Sequence, residues 1–289
     1  MSRSAIGGIT IVDRGNAPPP QWVPVAPAQT IYNGCIVGGM RVDAGYSEGV
    51  EIMLEADGVA DVTNLDTPYG VVVGNNNYTA AYNSTYKCEY ITAAAAAGPH
   101  TNTTDFRNVE GPWSKGDSGS RAFVKIERIF PHTVLRAPLF NDAVGTAPTE
   151  LTVSTGSASG LGCTTDSTDV AGVADLGTIY YRAGANAGVY RVTDDSSATV
   201  HTHDVATPYD IAVGDTAVKV PLRPFGMCFC RFGTDDAYNG YINVAATAAS
   251  NYAVIWVLRL DLSEAGNEYC DFTFDGVMFN SIVRQNTTA

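Results

Sequence analysis

Short runs of apolar and β-branched residues recur along the chain, each closed by a turn signal. In the first half they are Cys35-Ile36-Val37, Val50-Glu51-Ile52-Met53-Leu54, Gly70-Val71-Val72-Val73 and Ala122-Phe123-Val124-Lys125-Ile126. In the second half they are Ile179-Tyr180-Tyr181, Val189-Tyr190-Arg191-Val192 and Ala217-Val218-Lys219-Val220. Asp57-Gly58, Asn75-Asn76-Asn77, Gly116-Asp117, Asp194-Asp195 and Gly214-Asp215 punctuate them, and runs of this length between such turns predict strands. The longest, Ala253-Val254-Ile255-Trp256-Val257-Leu258, is apolar at every position and predicts a central strand buried on both faces, with Trp256 packed in the core. Helical periodicity is nearly missing; the alanine run Ala93 to Ala97 is too short to hold a helix unaided. The pattern predicts an all-β protein of one or two β-barrel or sandwich units with an extended N-terminal arm.

That arm is residues 1–28. Ile9-Thr10-Ile11-Val12 has the pattern to add one strand, and Pro18-Pro19-Pro20, Pro24 and Pro27 keep the chain extended. Such an arm lies on its own body or on a neighbouring subunit. Residues 29–136 read as a first β unit and 166–289 as a second. The Ala-, Gly-, Ser- and Thr-rich stretch 137–165 reads as a linker or a long loop; as a loop, it makes residues 140–215 an insertion into a single larger barrel. Pro68-Tyr69-Gly70 echoes in Pro224-Phe225-Gly226, and Ala81-Tyr82-Asn83 in Ala237-Tyr238-Asn239, at one common offset. The echo is either a duplication or repeated turn chemistry.

Composition sharpens this picture. Charged residues are 16% of the chain, below the roughly 25% usual for soluble domains, so the surface is built from Thr, Ser, Asn and Gly. Against 17 basic residues stand 30 acidic ones, a net charge of −13, which repels phosphate backbones and argues against a nucleic-acid partner. No apolar run approaches the ~20 residues that span a bilayer, no membrane partner is expected, and no signal peptide is apparent. The six cysteines (Cys35, Cys88, Cys163, Cys228, Cys230, Cys270) are scattered and read as buried free thiols, with Cys228 and Cys230 on one face of a strand.

Several constellations invite chemistry, and none is complete. Gly116-Asp117-Ser118-Gly119-Ser120 resembles the nucleophile loop of trypsin-like serine proteases, whose Ser is activated by a His far upstream. Here the only upstream histidine is His100, too close to Ser118 to leave room for that family's order, and nothing directs His132, His201 or His203 there. A Gly-Asp turn before the strand 121–126 explains the motif. His201-Thr202-His203-Asp204 puts two imidazoles on one strand face beside a carboxylate, but no third metal ligand has the spacing; exposed strand-end histidines are expected. Asp194-Asp195 and Asp235-Asp236 invite calcium without an EF-hand pattern. Trp22 and Trp113 are candidates for a sugar platform. Asn77-Tyr78-Thr79, Asn83-Ser84-Thr85, Asn102-Thr103-Thr104 and Asn286-Thr287-Thr288 match the glycosylation sequon, as chance predicts in a chain so rich in Asn and Thr. No phosphate-cradling loop occurs. The expectation is a non-enzymatic protein with no catalytic residue, no metal site and no cofactor.

Two stretches resemble tailed-phage structural proteins. Ala28-Gln29-Thr30-Ile31-Tyr32-Asn33-Gly34-Cys35-Ile36-Val37, leading to Pro68-Tyr69-Gly70-Val71-Val72-Val73, is similar to small capsid decoration (cement) domains. Tyr180-Tyr181-Arg182-Ala183-Gly184-Ala185-Asn186-Ala187-Gly188-Val189-Tyr190-Arg191-Val192, followed by Gly214-Asp215-Thr216-Ala217-Val218, resembles a β-barrel pattern of phage head and tail proteins. The resemblance implies a decoration protein on the outer capsid surface of the virion. Its implied partners are the major capsid protein and neighbouring copies of itself, in a homo-oligomer such as a trimer. A tail or neck component, or a carbohydrate-binding adhesin, are the alternative readings.

Overall fold

The computed structural model describes residues 8–15, 17–25, 30–38, 41–43, 46–49, 68–75, 81–92, 123–166, 177–197, 199–233, 238–245 and 253–283. The fold is all-β. The arm supplies β1 (Thr10–Asp13) and β2 (Gln21–Pro24). Seven short strands follow: β3 (Thr30–Tyr32), β4 (Ile36–Gly38), β5 (Arg41–Asp43), β6 (Tyr46–Gly49), β7 (Pro68–Asn75), β8 (Ala81–Asn83) and β9 (Cys88–Thr92). Then come β10 (Phe123–Arg128) and β11 (Val134–Phe140). The next six are β12 (Glu150–Thr155), β13 (Gly162–Thr165), β14 (Gly177–Tyr181), β15 (Tyr190–Ser197), β16 (Val200–His203) and β17 (Thr216–Val220). The chain closes with β18 (Met227–Phe232), β19 (Ile242–Asn243), β20 (Ala253–Asp261), β21 (Tyr269–Phe274) and a 3-10 segment, Gly276–Val283.

These strands stack in layers. β3, β9 and β8 form a small sheet lying on a four-stranded sheet ordered β2-β10-β7-β4; Ile31 and Ile91 from the first meet Val23, Val37, Val72, Val124 and Ile126 from the second. The other face of the four-stranded sheet gives Ile36 and Val71 to the main core. That core is enclosed by β11, β19, β18, β20 and β21, for the β11–β21 pairing returns the sheet on itself and closes five strands into a ring. Inward alternation fills it with Leu135, Leu139, Phe232, Ile255, Val257, Phe272 and Phe274. Cys228 and Cys230 share its inner face, and all six cysteines are free and buried.

The strands β12-β13-β16-β15-β14-β17 close a second barrel. It is continuous in sequence between β11 and β18, both members of the ring, so it is an insertion. Residues 137–165, which composition marks as linker or loop, hold the end of β11, all of β12 and all of β13. The barrel turns the outer faces of β14 and β17 to the ring, where Tyr180, Val218 and Val220 join the main core. Arg182, just after β14, is the polar weld: its Nε donates to Leu262 O at 3.0 Å and its guanidinium pairs with Glu268 and Glu150.

The described part of the arm is spent on its own body. β1 pairs antiparallel with β11, β2 with β10, and Ile9 enters the main core at 2% exposure. Gly8 and Gly34 make this crossing possible. Both have positive φ (147° and 83°), and a Cβ on Gly34 would lie 2.5 Å from Gly8 Cα. Gly34→Ala is therefore expected to destabilise by about 1–3 kcal/mol, read as a lower urea midpoint at unchanged slope.

The internal echo divides on inspection. Pro68-Tyr69-Gly70 opens β7, whereas Pro224-Phe225-Gly226 is the turn before β18. Asn83 Oδ1 caps a surface turn by accepting from Thr85 N and Tyr86 N, whereas buried Asn239 exchanges two hydrogen bonds with the Ile36 backbone. The two copies do different work.

Candidate functional site

Strand periodicity puts residues two apart on one face, and in β13 and β16 that face points into the inserted barrel. Cys163 and Thr165 therefore meet His201 and His203 inside it, with Cys163 opposite His201 and Thr193 of β15 opposite His203 in register. Tyr181, entering from β14, completes a chain. Its hydroxyl lies 2.7 Å from His203 Nε2 and 3.4 Å from Cys163 Sγ, while His201 Nε2 lies 3.2 Å from Thr165 Oγ1. Lys219 of β17 is buried on the same interior, opposite Ile179.

Burial holds His203, Tyr181 and Cys163 uncharged. Burial first, then the neighbouring His201 and Arg191, lower the His203 pKa from 6.5 to about 4. Burial likewise raises the Tyr181 phenol and the Cys163 thiol. The order consistent with a neutral imidazole has the phenol donating to Nε2, which leaves the buried Nδ1 without a hydrogen-bond partner. A thiol becomes a nucleophile when its pKa falls, and here it rises. Cys35 and Cys88 follow the same rule, pushed by burial to about 12 and about 11. The expectation of exposed strand-end histidines is corrected: closing the barrel turns His201 and His203 inward, at 1% and 4% exposure. Among the described residues no group of three or more His, Cys, Asp and Glu is placed to hold a metal.

Three loops, 156–161, 183–189 and 204–215, gather at the end of the barrel away from its two chain connections to the ring. Asn186, fully buried in the Gly-Ala-Asn-Ala-Gly segment, donates to Tyr209 O and Asp210 O and accepts from Tyr209 N. Thr207 binds Gly160 O through its amide and Tyr209 O through its hydroxyl. Asp215 Oδ2 accepts from Ala212 N, and Arg191 gives Nε and Nη2 to Ala206 O. These bonds fix a loop that buries Ile211 and turns three larger side chains to water: Val205 is 60% exposed, Tyr209 63% and Val213 70%, with Leu161 alongside. The side of the barrel bears an open groove of ≈ 330 Å³ lined by Thr155, Ser157, Leu161, Thr164, Val200 and Thr202 among others, with no Trp, Tyr or Phe among its described lining residues.

A second exposed apolar patch lies on the outside of the ring. Met227 of β18 stands opposite Trp256 of β20, and Leu258 is exposed beside them. The Phe225 amide donates to Val257 O, which seats the turn against β20. Phe225 has φ of 57° and is 85% exposed, an unusual backbone for a bulky residue. Trp256, expected in the core, is on the surface, its Nε1 donating to Asp275 Oδ2 at 2.5 Å. The reason is alternation: the ring has one interior, and Ile255 and Val257 take it.

The other sequence candidates are dispersed. Trp22 is on β2, in register with Lys125; His132 stacks on Phe130; Asp194 is exposed on β15. Ser118 and its loop, His100, Trp113, Asp235, Asp236, residues 50–54 and 93–97, and the sequons at Asn77, Asn102 and Asn286 lie outside the described residues. Comparison with known proteins finds no family model, no curated protein and no solved structure that matches this chain.

Proposed function

We propose that this chain is a non-enzymatic structural protein of a tailed-phage virion, decorating and stabilising the outer surface of the head. The observation that supports it best is the pairing of inert interiors with two sticky exteriors. Cys35, Cys88, Cys163, Cys228, Cys270 and His203 are held uncharged by burial, whereas large apolar side chains are presented to solvent at two separate places, a hydrogen-bonded loop and a ring face with the turn that leads into it. Rigidly exposed apolar groups are contact surfaces, and their order, fixed beforehand, lowers the entropic cost of association. Two such surfaces on one body suit a part that bridges neighbours in a lattice, where many weak contacts add up.

Rebinding tests the reading. Purified chain, added to virion shells stripped of it by salt or mild denaturant, should return at the repeat of the shell lattice and raise the temperature at which the shells burst. Binding to glycans with no affinity for shells would overturn it in favour of an adhesin. Binding confined to tails or the neck would move the protein elsewhere in the particle.

A further inference from the structure

We propose that copies of this chain exchange their N-terminal arms, so that the edge formed by residues 123–136 of one copy is covered by residues 8–25 of another. The inference goes beyond the virion reading and is tested on purified protein alone.

The arm is held as one extended ligand. β1 lies antiparallel along β11 and β2 along β10. The register that ends at Asp13↔Val134 resumes at Gln21↔Ile126, with stretches of equal length between, 14–20 on the arm and 127–133 on the body. A single ribbon thus follows the chain round the corner from the ring to the four-stranded sheet. Its buried side chains are few and spaced: Ile9 enters the main core, and Val23 and Val25 join the cluster of Ile31, Val72 and Ile126. At the corner Arg14 Nε pairs with Glu127 Oε1 at 2.8 Å, and the Glu127 side chain is only 8% exposed.

Three features make the arm of a second copy the occupant. It is the same segment of an identical chain, so the exchanged state keeps every bond of the closed one, and only the connection beyond Val25 differs. An edge stripped of its arm leaves Glu127 buried without its cation, a costly state. The arginine that neutralises it follows β1 directly in sequence, so the edge requires an arm and not merely an apolar strand. Finally, the partners of the arm lie about 100 or more positions later in the chain, and contacts so distant in sequence form late. Until the arm docks, the uncovered edges of β10 and β11 are templates for an arm from either copy. Copies held side by side raise the effective concentration of the foreign arm toward that of the resident one. Residues 10–24, about 50 Å long when extended, reach along an adjacent body.

Opposed thiols decide it. Pro24 has no N–H to donate, so its pairing with Phe123 is of the non-hydrogen-bonded kind, and by alternation Trp22↔Lys125 is another. Side chains in such pairs are close enough for a disulfide, and Trp22 is 37% exposed. Full-length Trp22→Cys and Lys125→Cys, one lengthened by a tag, are unfolded together in urea, refolded at high concentration under reducing conditions and then oxidised. The mixed disulfide should exceed both same-variant disulfides by roughly tenfold or more, because only an exchanged arm holds the two thiols at high effective concentration. Its yield should rise with the refolding concentration. The double variant Trp22→Cys with Lys125→Cys, refolded dilute, should close a disulfide within its own chain, which checks the register. Same-variant and mixed disulfides in random proportion, no mixed disulfide while the double variant closes, or a double variant that does not close would each overturn the proposal.

Discussion

Replacing Arg182 with Met is expected to destabilise the protein by about 3–5 kcal/mol, the usual consequence of leaving a buried charge without its partner. The Glu268 side chain is fully buried, its Oε1 paired with Arg182 and its Oε2 without a hydrogen-bond partner. Without the guanidinium the carboxylate must stay charged in the interior or take up a proton, and both are costly. The same substitution removes the donors to Leu262 O and Glu150, so barrel and ring lose their polar weld together. The double variant Arg182→Met with Glu268→Leu should recover most of the loss, since apolar groups of similar volume replace a buried pair at little cost. Urea unfolding of the wild type and the two variants checks this. A loss below about 1 kcal/mol for Arg182→Met would place the pair among weak surface bridges.

The second large effect is acid lability of the inserted barrel. The groups facing His203 are the Tyr181 hydroxyl from β14, Cys163 beyond it on β13, His201 on its own strand, Arg191 from β15 and Asp204 next in sequence. Burial, His201 and Arg191 disfavour the imidazolium, and only Asp204 favours it. The folded pKa is about 4 against 6.5 for the ordinary group, so between these values the unfolded chain binds the proton and the folded one does not. Stability from this group is therefore complete above pH 6.5 and is lost as the pH falls to about 4. The loss approaches on the order of 3 kcal/mol at 1.36 kcal/mol per pH unit. Unfolding free energy measured across that window should fall steeply for the wild type and less for His203→Gln. Parallel curves for the two proteins would show that the titration belongs to other groups.

Much of the fold was legible because strand periodicity is a local signal. The runs at 70–73, 179–181, 217–220 and 253–258 are all strands, and Cys228 and Cys230 share one inner face as spacing requires. Which face lies inward is a tertiary matter. Trp256 sits in an unbroken apolar run yet faces water, because a closed ring has a single interior. His201 and His203 are polar yet buried, because the barrel closes over them and Tyr181, some twenty positions earlier, supplies the hydroxyl. The stretch 137–165 resembles a linker for a physical reason: its glycines at 156, 160 and 162 lie where backbones cross. A Cβ on Gly156 would fall 2.0 Å from Ile211 O, and one on Gly162 would fall 2.3 Å from His201 O. Small residues there signal close strand packing, and composition alone reads them as slack. Asn186 stands in the Gly-Ala-Asn-Ala-Gly segment, but its role in pinning Tyr209 depends on a loop 23 residues away. The two exposed apolar patches draw on 204–215, 223–227 and 256–259, which only the folded chain gathers.

The most direct measurement of the central claim is the copy number of this chain in purified virions, by quantitative mass spectrometry against the major shell protein. A decoration role predicts a fixed lattice-like ratio to the shell protein, the same in full and empty heads. A handful of copies per particle would contradict decoration and point to the neck, tail or a fibre, and absence from the particles would contradict the virion reading itself.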